Sequence, residues 1–406
     1  GPDGICEAAA GADETQVIPV GQGTPDSICV SAGADATLDT AAPSGDDVVD
    51  VPNNRITSGP DGVCDTTADM NDVQSLPVGQ GTPNSVCITA DNPLVRNRNV
   101  RIQNLGIRSP SGFDGIHVDR SDFVEINAII IDGTLGPPGL PATGRHGVFV
   151  DARSVKPVVK ASTARFLSGS GFLNQGPGAE VSTSLAEFNF GFGFLQQLTS
   201  GGAASNALYN GNTALANTSG GFGTGGITNI FQRCLAFQNT GPGFVLGGVG
   251  HILFQVNSSG NSIGVEGRGV GLRIRSSQIS SNLDAGILLL MQGDDTAVGS
   301  EVYGNTIFGN RNVGVRINVP GVVMRRNQIG PRKLSLPVPQ DVGVLLQSGA
   351  EGTLLELNKL QNNFDTDGNV CPPAGTACDL VNGGMNNAGR LNTFNDGYVP
   401  PPGFVD

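Results

Sequence analysis

The chain has no tryptophan, only three tyrosines and three histidines, and just 15% of its 406 residues are charged. With so few Trp and Tyr faces, an extended cleft that grips sugars by stacking would be poorly equipped. No apolar run approaches the roughly 20 residues needed to span a bilayer, so no transmembrane helix is expected. Basic residues are nearly missing from the first quarter. Residues 1–92 hold fifteen acidic side chains against Arg55 alone, a local charge of −14. The other 314 residues hold 21 acids and 22 bases, so the net charge of −13 belongs almost entirely to the N-terminal segment. That acidity argues against nucleic acid and anionic membrane as general partners. A boundary falls between Asp91 and Arg96.

Glycine is abundant, at 61 residues, but keeps no three-residue period, which excludes collagen. A hydrophobic content of 38% is enough to bury a core. Seven cysteines include two pairs, Cys6/Cys29 and Cys64/Cys87, with the same separation of 23, and a closer pair, Cys371/Cys378. Three local pairs fit disulfides in an oxidising compartment, which places the protein outside the cell or at its surface. Zinc would want tighter Cys/His spacing. Cys234, set among apolar residues, reads as a buried inert thiol. Gly1 in place of Met points to a processed or trimmed start.

Two repeat systems organise the chain. In the first, residues 1–31 recur without a gap at 59–89, with a half-copy at 33–49. Gly1-Pro2-Asp3-Gly4-Ile5-Cys6 returns as Gly59-Pro60-Asp61-Gly62-Val63-Cys64. The copies carry acids in Gly-rich turns: Asp3, Glu7, Glu14; Asp35, Asp39, Asp46, Asp47; and Asp61, Asp65, Asp72. Carboxylates in such turns can converge with backbone carbonyls on Ca²⁺, which takes six to eight oxygens. Asp365 and Asp367, with Asp379 beyond the last cysteine pair, form a second calcium candidate. The alternative is a solvated acidic linker in which Asp merely favours turns. The repeat faintly resembles the aspartate-rich calcium repeats of thrombospondin type 3, without their dense Asp-x-Asp core.

The second system fills residues 93–360. A glycine followed by an apolar run returns at Gly115, Gly147, Gly171, Gly193, Gly221, Gly243, Gly264, Gly286, Gly314 and Gly343, with a floor spacing near 22. Such a period signals a solenoid. Short β-branched and aromatic runs punctuated by Gly and Asn, with no 3.6-residue periodicity, predict strands. Three short strands per turn give an all-β, right-handed parallel β-helix of about ten coils. The Asn-rich turns ahead of the repeat glycine, as from Asn305 to Val315, resemble the parallel β-helix repeats of the pectate-lyase-like superfamily over about two thirds of the chain. Residues 361–406 are then a cap or docking tail. Phe190, Phe192 and Phe194, alternating with glycine, are expected to face the core.

The resemblance implies a fold that hosts lyases, hydrolases, epimerases and non-catalytic adhesins. Asp294-Asp295 with His251 and Arg316 is the nearest hydrolase-like set, but in polygalacturonase-like enzymes the aspartates precede a histidine in Gly-His-Gly, and here Gly250-His251-Ile252 comes first. A lyase-like set of acids with an arginine base could draw on Asp114, Asp119, Asp122 and Asp151 near Arg120 and Arg153. Of these, Asp119, Asp151 and Arg153 are the candidate catalytic residues, against a plain ladder of solvent-facing aspartates at strand ends. Arg273, Arg275, Arg316, Arg325, Arg326, Arg332 and Lys333 could line an outward stripe that docks the acidic segment of a neighbouring copy. The leading expectation is therefore a non-catalytic extracellular subunit of a fibre, layer or adhesin. It would be stiffened by Ca²⁺ and assemble head to tail as a homo-oligomer or filament, with surface polysaccharide as a further partner. The alternative is a polysaccharide lyase or glycoside hydrolase acting on acidic polysaccharide.

Overall fold

The computed structural model describes residues 114–118, 121–133, 144–198, 205–292, 298–330, 340–365 and 376–394. It adds shorter pieces at 28–32, 47–48, 86–90, 97–98, 100–103, 106–109, 295–296, 400–401 and 404. All regular structure in these residues is strand, and no helix among them is long and apolar enough to cross a membrane. The chain divides into two compact units, Gly1–Ala207 and Leu208–Asp406.

In the first unit each coil contributes one short strand to each of three parallel sheets. Sheet I holds Ile116–Val118, Val148–Val150, Phe172–Asn174 and Phe192–Gln196. Sheet II holds Glu125–Asn127, Val158–Lys160 and Glu180–Ser182, and sheet III holds Ile130–Gly133, Thr163–Arg165 and Leu185–Glu187. Ile116, Val148, Phe172 and Phe194 are successive register partners. The second unit repeats the plan. Its sheet I runs from Gly220–Thr224 through Phe244–Leu246, Val265–Gly267, Ala285–Leu289, Val313–Ile317 and Val342–Leu346 to Leu380–Asn382. The expected parallel β-solenoid is thus present, with a coil count slightly different from ten.

The repeat glycine has a steric reason. It opens each sheet I strand where the next coil's backbone crosses close behind. A Cβ at Gly115 would lie 2.7 Å from the Gly147 carbonyl oxygen, and one at Gly147 would lie 2.4 Å from that of Gly171. The same contact recurs in the second unit, where a Cβ at Gly264 would meet the Gly286 oxygen at 2.5 Å. Between strands the chain turns through single residues of positive φ, such as Ala128, Ala161 and Thr183 between sheets II and III. The residue that follows each corner points inward and stacks. After the sheet III corners of the second unit these are Asn217, Asn239, Asn261, Asn282 and Asn310, and each Asn side chain from 217 to 282 donates to the next Oδ1. The ladder satisfies buried amides along the axis of that unit.

Cys234 occupies the matching slot after the sheet II corner. It is free and buried, and burial pushes its thiol up to about 12. Aromatic stacks fill the core between aliphatics: Phe172 on Phe194 with centroids 4.9 Å apart, and Phe222 on Phe244 at 4.8 Å. The alternating Phe-Gly run departs from expectation. Phe194 is fully buried, but Phe190 is 48% exposed, because it precedes the strand that begins at Phe192 and follows the corner at Phe188. The outward arginines of the second unit also differ from an unpaired stripe. Arg275 pairs with Glu301, Arg325 with Glu356 at 2.8 Å and Arg316 with Asp284 at 3.4 Å. Arg332 and Lys333 lie outside the described residues.

Candidate functional site

In the first unit, Ile116 and Val118 point into the core, so the residue between them, His117, must face out from sheet I. One coil on, Val148 and Val150 point in and Phe149 faces out as the register partner of His117. The two rings meet edge to face with centroids 4.7 Å apart. Asp114 sits in the turn entering the first of these strands, and Arg145-His146 sit in the turn entering the second. The solenoid thereby stacks residues about thirty positions apart.

Asp114 is 4% exposed and its carboxylate is saturated with donors. Oδ1 accepts from Arg145 Nε at 2.8 Å and from the His146 backbone N–H at 3.2 Å. Oδ2 accepts from Arg145 Nη2 and lies 3.4 Å from His117 Nδ1. Burial works to raise its pKa, but the hydrogen bonds and positive charges of Arg145 and His117 outweigh burial and hold it at about 2. The Arg145 guanidinium is raised in turn, chiefly by its hydrogen bond to Asp114. It stays half exposed, with its central carbon 5.7 Å from the Phe149 centroid.

His146 is held differently. Its Nδ1 accepts the Ser170 backbone N–H at 2.9 Å, and burial depresses its pKa, so it is a neutral imidazole. Gly169 permits that seating: a Cβ there would lie 2.5 Å from His146 Nδ1 and 2.2 Å from the Arg145 carbonyl oxygen. Asp151, just past Val150, accepts from the backbone N–H and Nε of Arg153, both at 2.9 Å. Burial opposes its ionisation, but those bonds, the Arg153 charge and that of His117 lower its pKa.

A carboxylate that receives three hydrogen bonds and lies beside a fourth polar group, its pKa held at about 2, cannot itself take a proton near neutral pH. It can orient an imidazole. With Nδ1 turned to Asp114, His117 leaves Nε2 as its nitrogen on the outward face. Arg145 supplies a partly solvated cation beside it. The set is one base, one buried orienting acid and one cation.

Of the residues expected from the sequence, Asp151 and Arg153 border this cluster as an ion pair, and Asp119 lies outside the described residues. His251 turns inward: its Nδ1 accepts the Asn229 N–H at 3.1 Å, and burial lowers its pKa, so it supports a corner of the second unit. Among the calcium candidates, Asp3, Glu7, Glu14, Asp35, Asp39, Asp46, Asp61, Asp65, Asp72 and Asp367 lie outside the described residues. Asp47 and Asp365 are described by backbone alone. Asp379 is buried and accepts the Asn363 side chain at 2.8 Å. Among the described residues no group of three or more His, Cys, Asp or Glu is placed to hold a metal ion. Cys378 is disulfide-bonded, while Cys6, Cys64 and Cys371 lie outside the described residues. Cys29 and Cys87 lie opposite each other on paired strands. Sequence reasoning missed His117, Arg145, His146 and Phe149 as a set. The available signal was that two of the chain's three histidines flank consecutive repeat glycines.

No protein-family model and no curated protein sequence matches the chain. Solved structures do. The periplasmic alginate epimerase AlgG aligns with a TM-score of 0.51 at 12% identity, over 76% of this chain and 77% of that one. The A-module of Azotobacter vinelandii mannuronan C-5 epimerase AlgE6 gives 0.44 at 18% identity, over 78% and 84%. Tailspike protein 3 of bacteriophage CBA120 gives 0.44 at 12%, over 78% and 54%. At these identities the likeness is one of fold. The expectation of a non-catalytic fibre or layer subunit is corrected at this point. The periplasmic alginate epimerase that aligns above a TM-score of 0.5 is an enzyme, and the outward face of sheet I carries the cluster of Asp114, Arg145 and His117.

Proposed function

We propose that the protein is a carbohydrate-active enzyme that acts on an acidic polysaccharide by abstracting the proton next to a uronate carboxylate. The observation that carries this reading is His117, aimed outward from sheet I with Nδ1 fixed by a carboxylate that Arg145 keeps ionised. In the reaction, His117 Nε2 takes the C5 proton and the electron pair moves into the substrate carboxylate, whose added charge Arg145 stabilises. Collapse of that intermediate expels the O4-linked sugar as a lyase would, or a proton returned to the opposite face inverts C5. Hydrolysis fits poorly. It needs a carboxylic acid that keeps its proton at working pH, and both Asp114 and Asp151 are shifted the other way. A secreted or periplasmic location suits such a substrate.

The test is incubation with alginate and with polygalacturonate in deuterated water. Deuterium at C5, or ultraviolet absorbance from an unsaturated uronate, is the expected result, and His117→Ala should lower the rate by roughly 10²–10⁴-fold. New reducing ends without unsaturation or deuterium would refute the reading.

A further inference from the structure

The corner that leads out of sheet III places one residue per coil at positive φ. In the second unit that position holds Ala216, Gln238, Gly260, Ser281, Gly309 and Gly330, all small, flexible or polar. In the first unit it holds Phe166 (φ 56°) and Phe188 (φ 54°). A phenylalanine is disfavoured there twice over: its Cβ crowds the following carbonyl, and its ring is left in water. Phe188 is 47% exposed, so core burial does not offset the strain. The two rings lie face to face, 5.4 Å apart and 10° from parallel. The Arg165 guanidinium carbon sits 5.5 Å from the Phe166 centroid. Arg165 is tied to Asp132 at 2.9 Å and to Glu187 at 3.8 Å, so the rings are rimmed by one cation and two carboxylates.

We propose that this corner is a second carbohydrate-binding surface, separate from the sheet I site. It holds a polysaccharide by the C–H face of a pyranose ring laid on Phe188 and against the edge of Phe166, with Asp132, Arg165 and Glu187 bonding sugar hydroxyls. The proposal rests on the carbohydrate-active reading for its choice of ligand class. Size argues against a protein partner. The half-exposed Phe188 ring offers roughly 100 Å² and the partly buried Phe166 less, enough for one sugar unit and far below the ~800 Å² per partner of a stable protein interface. Charge fixes the mode of recognition. Arg165 lies between two acids, so no net positive charge is left to attract a polyanion. Ring faces and hydroxyls carry the contact, and salt should hardly weaken it.

The probe is affinity electrophoresis through gels cast with a neutral mannan, which lacks the uronate that the sheet I site is proposed to act on, at low and high salt. Retardation is expected, changing less than twofold with salt. Phe166→Ala with Phe188→Ala should weaken it at least tenfold. Phe188→Asn separates binding from folding, because asparagine tolerates the left-handed region: the melting temperature should hold or rise while retardation falls. Phe188→Trp should preserve binding. Unchanged retardation in the double variant overturns the proposal. So does retardation that salt abolishes, or a Phe188→Asn variant that changes sedimentation but not retardation. Loss of catalysis without loss of retardation bears on the sheet I reading alone.

Discussion

Asp114→Asn tests the candidate site through stability, independently of any substrate. In the folded protein the carboxylate titrates at about 2 rather than at its ordinary 3.8. Because the folded pKa is depressed, the stabilisation is fully present above the unfolded value. It is lost as pH falls through the folded one. A shift of that size is worth about 2 kcal/mol at neutral pH, and Asp114 is buried enough that solvent screening removes little of it. Asparagine keeps one acceptor for Arg145 Nε and the His146 N–H but sets an NH₂ against Arg145 Nη2 and His117 Nδ1. The unmatched donors bring the expected loss to about 2–3 kcal/mol, or roughly 5–10 °C in melting temperature for a unit of this size. The chain lacks tryptophan, so urea unfolding is best followed by far-ultraviolet circular dichroism between pH 7 and pH 2. Acids common to both proteins cancel in the difference. The gap between wild type and variant should hold from pH 7 to about 4, then close towards pH 2. A gap equally wide at pH 3 and pH 7 would refute the ion-pair account of Asp114.

Two further outcomes follow from packing. Gly243→Ala places a methyl 2.2 Å from Ser258 Oγ and 2.7 Å from the Gly264 carbonyl oxygen, and should cost about 3 kcal/mol by urea denaturation. Gly225→Ala, with nothing within 4 Å of its Cβ, is the near-neutral control, and equal midpoints for the two would contradict the steric reason for the repeat. Cys234, buried and with its thiol pushed up to about 12, should resist a soluble thiol reagent at pH 8 until urea unfolds its unit; labelling of the native protein would contradict its place in the inward stack.

The solenoid was legible because its strongest constraint is written in one residue type. Nine of the ten repeat glycines mark a place where an added Cβ would lie under 3 Å from the next coil's carbonyl oxygen, a demand that glycine alone meets, so the spacing of Gly115, Gly147 and Gly171 reports the coil directly. The asparagines were legible for a related reason: a buried amide is tolerated where the next coil repeats it, and repetition is visible in a sequence. Phe190 was misread because alternation with glycine mimics a strand, whereas the corner at Phe188 sets a new phase before the strand starts at Phe192. Arg275, Arg316 and Arg325 were read as part of an open stripe because their acids lie one coil away. Glu301 follows Arg275 by 26 positions and Glu356 follows Arg325 by 31, too far for local charge patterning to show.

The site was hidden by the same geometry in a sharper form. Asp114 and Arg145 come together because they lie one and two residues before consecutive repeat glycines, Gly115 and Gly147, and the 32-residue spacing of that coil, against a floor near 22, hides the pairing from a fixed-period search. Carboxylate spacing therefore singled out Asp119 and Asp151, which share a coil position, and left Asp114 as one acid of a lyase-like set without its partners. What distinguishes Asp114 is its lack of solvent and its excess of partners, and neither is a property of its neighbours in sequence. In a solenoid the chemically informative neighbour is one coil away at a distance that insertions alter. Ordinary motif spacing then finds the scaffold, and chemistry emerges only when the register is known. His117, Phe149 and Asp114 become one set through the pairing of Ile116 with Val148. A one-residue slip in that pairing would turn His117 into the core and leave no oriented base.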